Sequence, residues 1–297
     1  RSSIRTDWTA LNARTSAAIF IPADTAPQEI RDCLHEELAQ ALGPLNDLYR
    51  LHDSVFNDDN MHGVLTGFDM LVLRAIHAPE LANGMGAAEV AARLPAVLAR
   101  INPGGGAGGI AAGSVTPRAF VKAVETAIGP SAAPATRRNA AITAVRIAED
   151  AGWRDTRTGF AKLIYGRLSI GSAPDAALTA LFEAGQTYSA QGLSLQAAHV
   201  EMQLAAFALS QGDADGALAL TARALGPAAE AENAGLMASL MMVRAEALDL
   251  QGRAAEAEAL RLDSLGWARY GFGSEAEIRL RMGDIMGLNP ARRSGRT

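Results

Sequence analysis

Cysteine occurs once in these 297 residues, at Cys33. A single thiol excludes an internal disulfide framework. Because it falls in a helical run, it is expected to be a buried structural thiol rather than a reactive one. Aromatic residues are scarce, at 5%. No apolar run reaches the ~20 residues a membrane-spanning helix requires, so no transmembrane segment is expected. Basic residues are in deficit: 27 Lys and Arg stand against 32 Asp and Glu, a net charge of −5. Neither a basic face nor a helix-turn-helix with a basic recognition face is present. This argues against nucleic acid as a partner and against a transcriptional regulator.

What the chain has in quantity is alanine and glycine. Small side chains suit helices packed closely on one another. The first clear helix is expected over Glu29–Leu42, where Ile30, Leu34, Leu38, Ala41 and Leu42 recur at helical spacing and define a buried face. Asp24 or Thr25 are candidate N-caps, Pro27 precedes the helix, and Gly43-Pro44 stops it. Ahead of it, Ala17–Ile21 reads as an edge strand. After it, residues 48–60 form a loop rich in Asp and Asn. Asp53, Asp58 and Asp59 lack the spacing of a calcium loop and are read as turn-forming residues. His52 and His62 flank that loop and are read as surface or structural histidines.

The stretch from Cys33 to Asp59 carries a recognisable frame. Metzincin zinc peptidases carry H-E-x-x-H-x-x-G-x-x-H followed by a turn containing Met. Here the frame reads Glu36-Glu37-Leu38-Ala39-Gln40-Ala41-Leu42-Gly43-Pro44-Leu45-Asn46. The motif's Glu is kept as Glu37 and its Gly as Gly43. The three ligand histidines are replaced by Glu36, Gln40 and Asn46. Asp53-Ser54-Val55-Phe56 is similar to the Met-turn, with Phe56 for Met. The pattern E-E-x-x-Q-x-L-G, then Asn46-Asp47, then Ser54-x-Phe56-x-Asp58, resembles domain of unknown function 2927, a proteobacterial family with members described as lipoproteins. The resemblance runs over roughly residues 15–103 and includes Leu65–Asp69, Leu73-Arg74 and Pro79–Leu81.

The resemblance implies a zincin-like α+β domain over residues 1–103. Such a fold needs strands ahead of its active helix, so the domain is expected to be incomplete at its N-terminus and the chain, which opens at Arg1, to be a processed or trimmed product. It also implies a periplasmic or outer-envelope location in a Gram-negative bacterium, with a lipid anchor on a removed N-terminus. Zinc prefers His, Cys and carboxylate ligands. Glu36 could ligate, whereas Gln40 and Asn46 are neutral amides. Glu36, Glu37 and Gln40 are therefore expected to form a hydrogen-bonded polar stripe where zinc would sit, with no metal or cofactor.

Beyond this, Thr66 caps a helix to His77 with Asp69 supporting its start, and Leu65, Phe68, Leu71, Val72 and Ala75 are expected to face inward. A helix over Ala87–Ile101 follows. The glycine-rich run in residues 104–115 lacks the G-K-[ST] of a phosphate loop and reads as a linker. Residues 116–290 read as helical throughout, over Arg118–Ile128, 135–151, Gly159–Ser169 and onward from Pro174. Three copies of Q-G-x-x-x-x-A, at Gln191-Gly192, Gln211-Gly212 and Gln251-Gly252, lie 20 and then 40 residues apart. These resemble tetratricopeptide-type hairpins, with Gly185, Tyr188, Gly192 and Ala197 matching best. Met237, Met241 and Met242 are expected in the core. Arg244, Arg253, Arg261 and Arg269, interleaved with Glu246, Glu256 and Glu258, are expected on a solvated face. Residues 291–297, with Arg292, Arg293 and Arg296, are expected to be a loose basic tail.

The overall expectation is a mainly α chain: a partial zincin-like α+β domain, then a helical-hairpin array. The function expected is a non-catalytic envelope protein that binds proteins or peptides through the array. The alternative is a metal-dependent hydrolase using Glu37 as general base, with Glu36, Asp47 or His52 holding the metal.

Overall fold

A computed structural model describes residues 13, 15–45, 47–57, 59, 61–105 and 114–294. Among these residues every regular element is a helix. The expected zincin-like α+β architecture is not supported among them: residues 17–21, expected as an edge strand, belong to no regular element. An isolated run of five apolar residues with no second strand to take its backbone hydrogen bonds gains nothing from β geometry.

The first three helices are α1 (Pro27–Ala41), α2 (Gly67–Ile76) and α3 (Ala87–Ile101). Pro27 occupies the first helical position of α1, where its missing N–H is not needed. Neither Asp24 nor Thr25 caps the helix; Ala26 is the N-cap and gives no side-chain bond. Thr66 and Asp69 form a reciprocal capping box at the start of α2. The buried face of α2 differs from the apolar pattern. It presents Asp69, Leu73 and Ala75 inward, while Phe68 is exposed. The loop ahead of α2 needs the Asp69 carboxylate, and this fixes the helix rotation.

The remaining helices are α4 (Arg118–Ile128), α5 (Pro134–Asp150), α6 (Thr156–Ser169), α7 (Pro174–Ala190), α8 (Ser194–Ser210), α9 (Ala214–Glu230), α10 (Ala234–Leu250), α11 (Ala254–Phe272), α12 (Glu275–Met286) and α13 (Pro290–Ser294). α6 begins ahead of Gly159 because the Asp155 side chain accepts from Arg157 N. α4 packs on α5, α6 on α7, α8 on α9 and α10 on α11, and each hairpin stacks on the next. This is a helical-repeat architecture, in which stacking supplies the core no single hairpin could bury.

The 20-residue step is more regular than the three Gln-Gly copies indicate. α7 to α10 each have 17 residues, and α7 to α11 start at 174, 194, 214, 234 and 254. Each junction closes alike: Leu193, Asp213, Asn233 and Arg253 donate N–H to the carbonyls of Tyr188, Ala208, Ala228 and Leu248 at 2.9–3.0 Å. This is the Schellman closure, which needs a left-handed residue just past the helix. Gly192, Gly212 and Gly252 supply it at φ 71°, 80° and 75°. The fourth junction uses Glu232 at φ 52°.

Alanine fills the seams. Ala177, Ala184, Ala205, Ala217, Ala224, Ala238 and Ala257 are fully buried. Gly166 of α6 lies so close to α7 that a Cβ there would stand 2.5 Å from Leu181 Cγ. Met237, Met241 and Met242 belong to the core. At the front of the array Phe120, Trp153 and Phe160 form an aromatic cluster, to which residues before α2 contribute. The Tyr49 ring meets Phe120 edge-on at 5.9 Å and stacks with Phe160 at 6.2 Å. Met61 is buried in the same core.

Two surface expectations are corrected. Glu246 of α10 is not solvated but almost fully buried. It accepts from Arg261 Nη2 at 2.9 Å, Arg292 Nε at 2.7 Å and Asn289 Nδ2 at 3.0 Å. Asp249 shares both arginines. Nor are Arg292 and Arg293 loose. They lie in α13, where Arg292 joins this cluster and Arg293 donates to Ser210 O at 2.8 Å. Four charges in one mutual network offset the burial of each. Arg296 lies outside the described residues.

Candidate functional site

α1 and the following loop hold the motif residues. Two of the three expected stripe residues are bonded to each other, and Asp47 joins them: Gln40 Nε2 donates to Asp47 Oδ1 at 2.7 Å and to Glu36 Oε1 at 3.4 Å. An amide is suited to this, since it gives two N–H donors to two carboxylates with no charge of its own. Glu37 points to solvent. Gly43 ends α1 at φ 154°, against the Ile76 side chain. Asn46 and Asp58 lie outside the described residues.

The turn similar to a Met-turn packs under α1. Phe56 and Val55 are buried with Ala39 of α1 and Leu73 of α2. Ala39 is the one fully covered position of α1, because its short side chain lets Phe56 approach. The leucine face is not covered: Leu38 and Leu42 are 52% and 53% exposed. Leu34 and Leu38, with Pro27, Ile30, Leu65 and Tyr270, line a shallow apolar groove.

Asp69 organises the turn, a role its position as a helix-start residue did not reveal. Its buried carboxylate accepts from Ser54 Oγ, from Val55 N at 3.1 Å and from Thr66 N at 2.9 Å. Ser54 Oγ in turn accepts from Phe56 N at 3.0 Å. Ser54 and Phe56 are thus the polar and apolar halves of one clamp. Asp59 folds its own turn, accepting from Asn57 Nδ2 at 2.8 Å and Met61 N at 3.0 Å.

Cys33 is half-buried rather than buried. It borders a small polar recess with Asp32, Glu36 and His62. Burial and then the nearby Glu29, Glu36, Glu37 and Asp32 push its thiol pKa up, so the thiolate form is disfavoured. His35 Nδ1 accepts from Leu65 N at 3.2 Å, which commits the ring to the loop. The His52 carbonyl accepts from Gln196 Nε2 at 3.0 Å, and His62 Nε2 lies 3.3 Å from the same amide. Burial lowers the His62 pKa, although Asp53 and Asp69 oppose the shift. Among the described residues no three His, Cys, Asp or Glu side chains converge where they could hold a metal. Glu36, Asp47 and His52 are not brought together as ligands.

The motif segment is joined to the array at the irregular fourth junction. Gln28 Oε1 accepts from Gly235 N at 2.8 Å, and its Nε2 donates to Asn233 Oδ1 at 3.2 Å. Arg31 Nη1 donates to Glu232 O at 3.2 Å, and its guanidinium lies 5.9 Å from the Tyr270 ring centre.

A second set of side chains faces a cavity on the side of the array formed by the even-numbered helices. Arg167 (α6), His199 and Gln203 (α8), and Arg281 and Asp284 (α12) meet there. Sequence reasoning missed all five. The available signal was His199, the one imidazole in α8.

The fold and the motif segment define a mainly helical chain in which a clamped turn and helix lie against a hairpin array. A family model described as protein of unknown function (DUF2927) matches residues 3–96, which supports that family for this part of the chain. The matched span contains α1, the clamped turn, α2 and the start of α3. No curated protein and no solved structure matches the chain. No helix among the described residues is long and apolar enough to cross a membrane.

Proposed function

We propose that this chain is a non-catalytic binding protein of the bacterial envelope, a degenerate peptidase-like segment mounted on tetratricopeptide-like hairpins that hold a protein or peptide. The observation that carries the reading is the Glu36–Gln40–Asp47 row. An amide bonded to both carboxylates occupies the helical face where a zincin has its ligands, and Glu37 stands outside it. A general base must reach the proton it removes and be tuned for the task. Glu37, exposed at the edge of α1, is not enclosed in this way. The Phe56 turn packed beneath Ala39 is consistent with a segment derived from a zincin helix and Met-turn. Envelope location rests on the family resemblance alone.

The test is peptide selection by phage display on the full chain, purified without chelators, followed by affinity measurement. Selected peptides should bind Glu37→Ala as tightly as the unaltered protein and should remain uncleaved. Cleavage that is abolished by Glu37→Ala and by a chelator would overturn the reading in favour of the hydrolase.

A further inference from the structure

The cavity on the even-numbered helices has a volume of about 610 Å³, a size typical of small-molecule sites. Part of its wall is apolar, formed by Leu163, Met202, Leu236, Val243 and Ile285. The motif segment closes one side through Gln28, Asp59 and Met61.

Arg167 is the unusual group. Its side chain is open to the cavity, yet protein surrounds that cavity on several sides. Loss of solvation, then the charges of Arg281 and Arg137, lower its pKa. Among the described residues no carboxylate forms an ion pair with it. Arg167 keeps its exposure to solvent, and with two further guanidinium groups near it and no described carboxylate in an ion pair with it, this wall attracts an anion. Arg137 is already committed, donating to Ala127 O at 2.8 Å. Arg281 lies over the Phe272 ring at 5.3 Å.

His199 gives an independent indication. Its Nε2 is buried and has no hydrogen-bond partner among the described residues. Buried polar atoms are ordinarily paired; this one is covered beside the cavity, so a ligand atom meets it once the ring turns slightly towards the opening. Gln203, one turn on, presents a further amide. Two carboxylates also reach the cavity. Asp59 is held by its own turn. Asp284, on the turn after Arg281, makes no ion pair with it among the described residues. With Arg137 close enough to act on Arg167, three guanidinium groups stand against these two carboxylates, which leaves room for one negative charge rather than two. A singly charged head fits this balance better than a phosphate dianion.

We propose that this cavity is a binding site for an amphiphilic carboxylate, with its head on Arg167 and Arg281, a polar contact to His199, and its apolar body along the aliphatic wall. The same chemistry is offered by a small carboxylate with a hydrocarbon tail and by the free C-terminus of an apolar peptide. The site stands independently of whether the α1 segment binds or cleaves anything.

The experiment is calorimetric titration of the full chain with decanoate, decylamine, trileucine and trileucine amide at neutral pH. Decanoate or trileucine should saturate at one per chain, and Arg167→Met and Arg281→Met should each weaken that binding about tenfold or more. Decanoate binding identifies a small amphiphile, and binding of trileucine alone identifies a chain end. If Arg167→Met does not fold, Arg281→Met carries the comparison. No binding by either carboxylate, equal binding of the amine or amide, or binding unchanged by the arginine variants would overturn the proposal.

Discussion

The hairpin array and the motif segment hold themselves together by opposite means. In the array, alanines at the seams and repeated Schellman closures do the work, and one junction is nearly a copy of the next. In the motif segment few side chains are buried, and one carboxylate, Asp69, holds a turn that has no regular secondary structure. The array is a distributed solution in which neighbouring hairpins share the load. The segment depends on single residues, and its leucine face on α1 lies open.

The largest effect is expected at a place where the array departs from its own rule. Glu246 is a buried charge in a helix whose other buried residues are mostly apolar. Burial alone would raise its pKa; hydrogen bonds from Arg292, Asn289 and Arg261 outweigh this and bring it below the usual carboxylate value. Glu246→Ala removes the shared acceptor and leaves Arg261 and Arg292 both dependent on Asp249. A loss of about 3–5 kcal/mol is expected in urea unfolding, with α13 released first. A loss under ~1 kcal/mol would mean that stacking alone holds the C-terminal end.

His199 should make the array sensitive to acid. Burial first, then Arg167 and His62, push its pKa down to about 4. Below pH 6.5 an unfolded imidazole takes a proton that the folded one refuses. Stability is therefore present at neutral pH and is lost as pH falls from about 6.5 towards 4, by up to ~3 kcal/mol. His62 shifts in the same direction. His199→Gln should flatten the stability profile between pH 6.5 and 4.5, and His62→Gln should flatten what remains. An unchanged profile in the double variant would show that other groups set the acid response.

Much of the array was legible in the sequence because its rules are local. Gln-Gly marks a left-handed cap, proline opens α5 and α7, and the boundaries of α3 and α4 follow from flanking residues. The fourth copy was hidden because Ala231-Glu232 carries no glycine, although the backbone closes in the same way. The motif segment was legible as a pattern and misleading as a fold. Phe56 packs with Ala39, and Gln40 bonds Glu36 and Asp47, but the strands expected of a zincin do not form among the described residues. The cavity was illegible, because Arg167, His199 and Arg281 lie far apart in the chain and only stacking brings them to one wall.

Asp69→Ala is the corresponding cut in the motif segment. It leaves Ser54 Oγ, Val55 N and Thr66 N without their acceptor. About 2 kcal/mol of local stability should be lost. Hydrogen exchange should rise over residues 48–66 while α7 to α11 keep their protection. A uniform rise across the array would show that the two regions unfold as one, as the shared packing of Tyr49 and Met61 would then explain.

The smallest effect tests the joint between the regions. Glu232 holds a left-handed φ of 52° that its three counterparts give to glycine, at a strain of roughly 1 kcal/mol. Its carboxylate lies 3.4 Å from Arg31 and is 72% exposed, a pairing that contributes little. Glu232→Gly should therefore stabilise the chain, by about 0.5 kcal/mol once the glycine's greater freedom in the unfolded state is counted. The Arg31 bond to the backbone carbonyl at 232 survives that change. Arg31→Ala removes it and should loosen α1 without affecting the hairpins, as seen in exchange at residues 27–41. If Glu232→Gly instead loosens α1 as much as Arg31→Ala does, the Glu232 side chain is what seats the motif segment. The missing glycine would then be the array's concession to the helix docked on it.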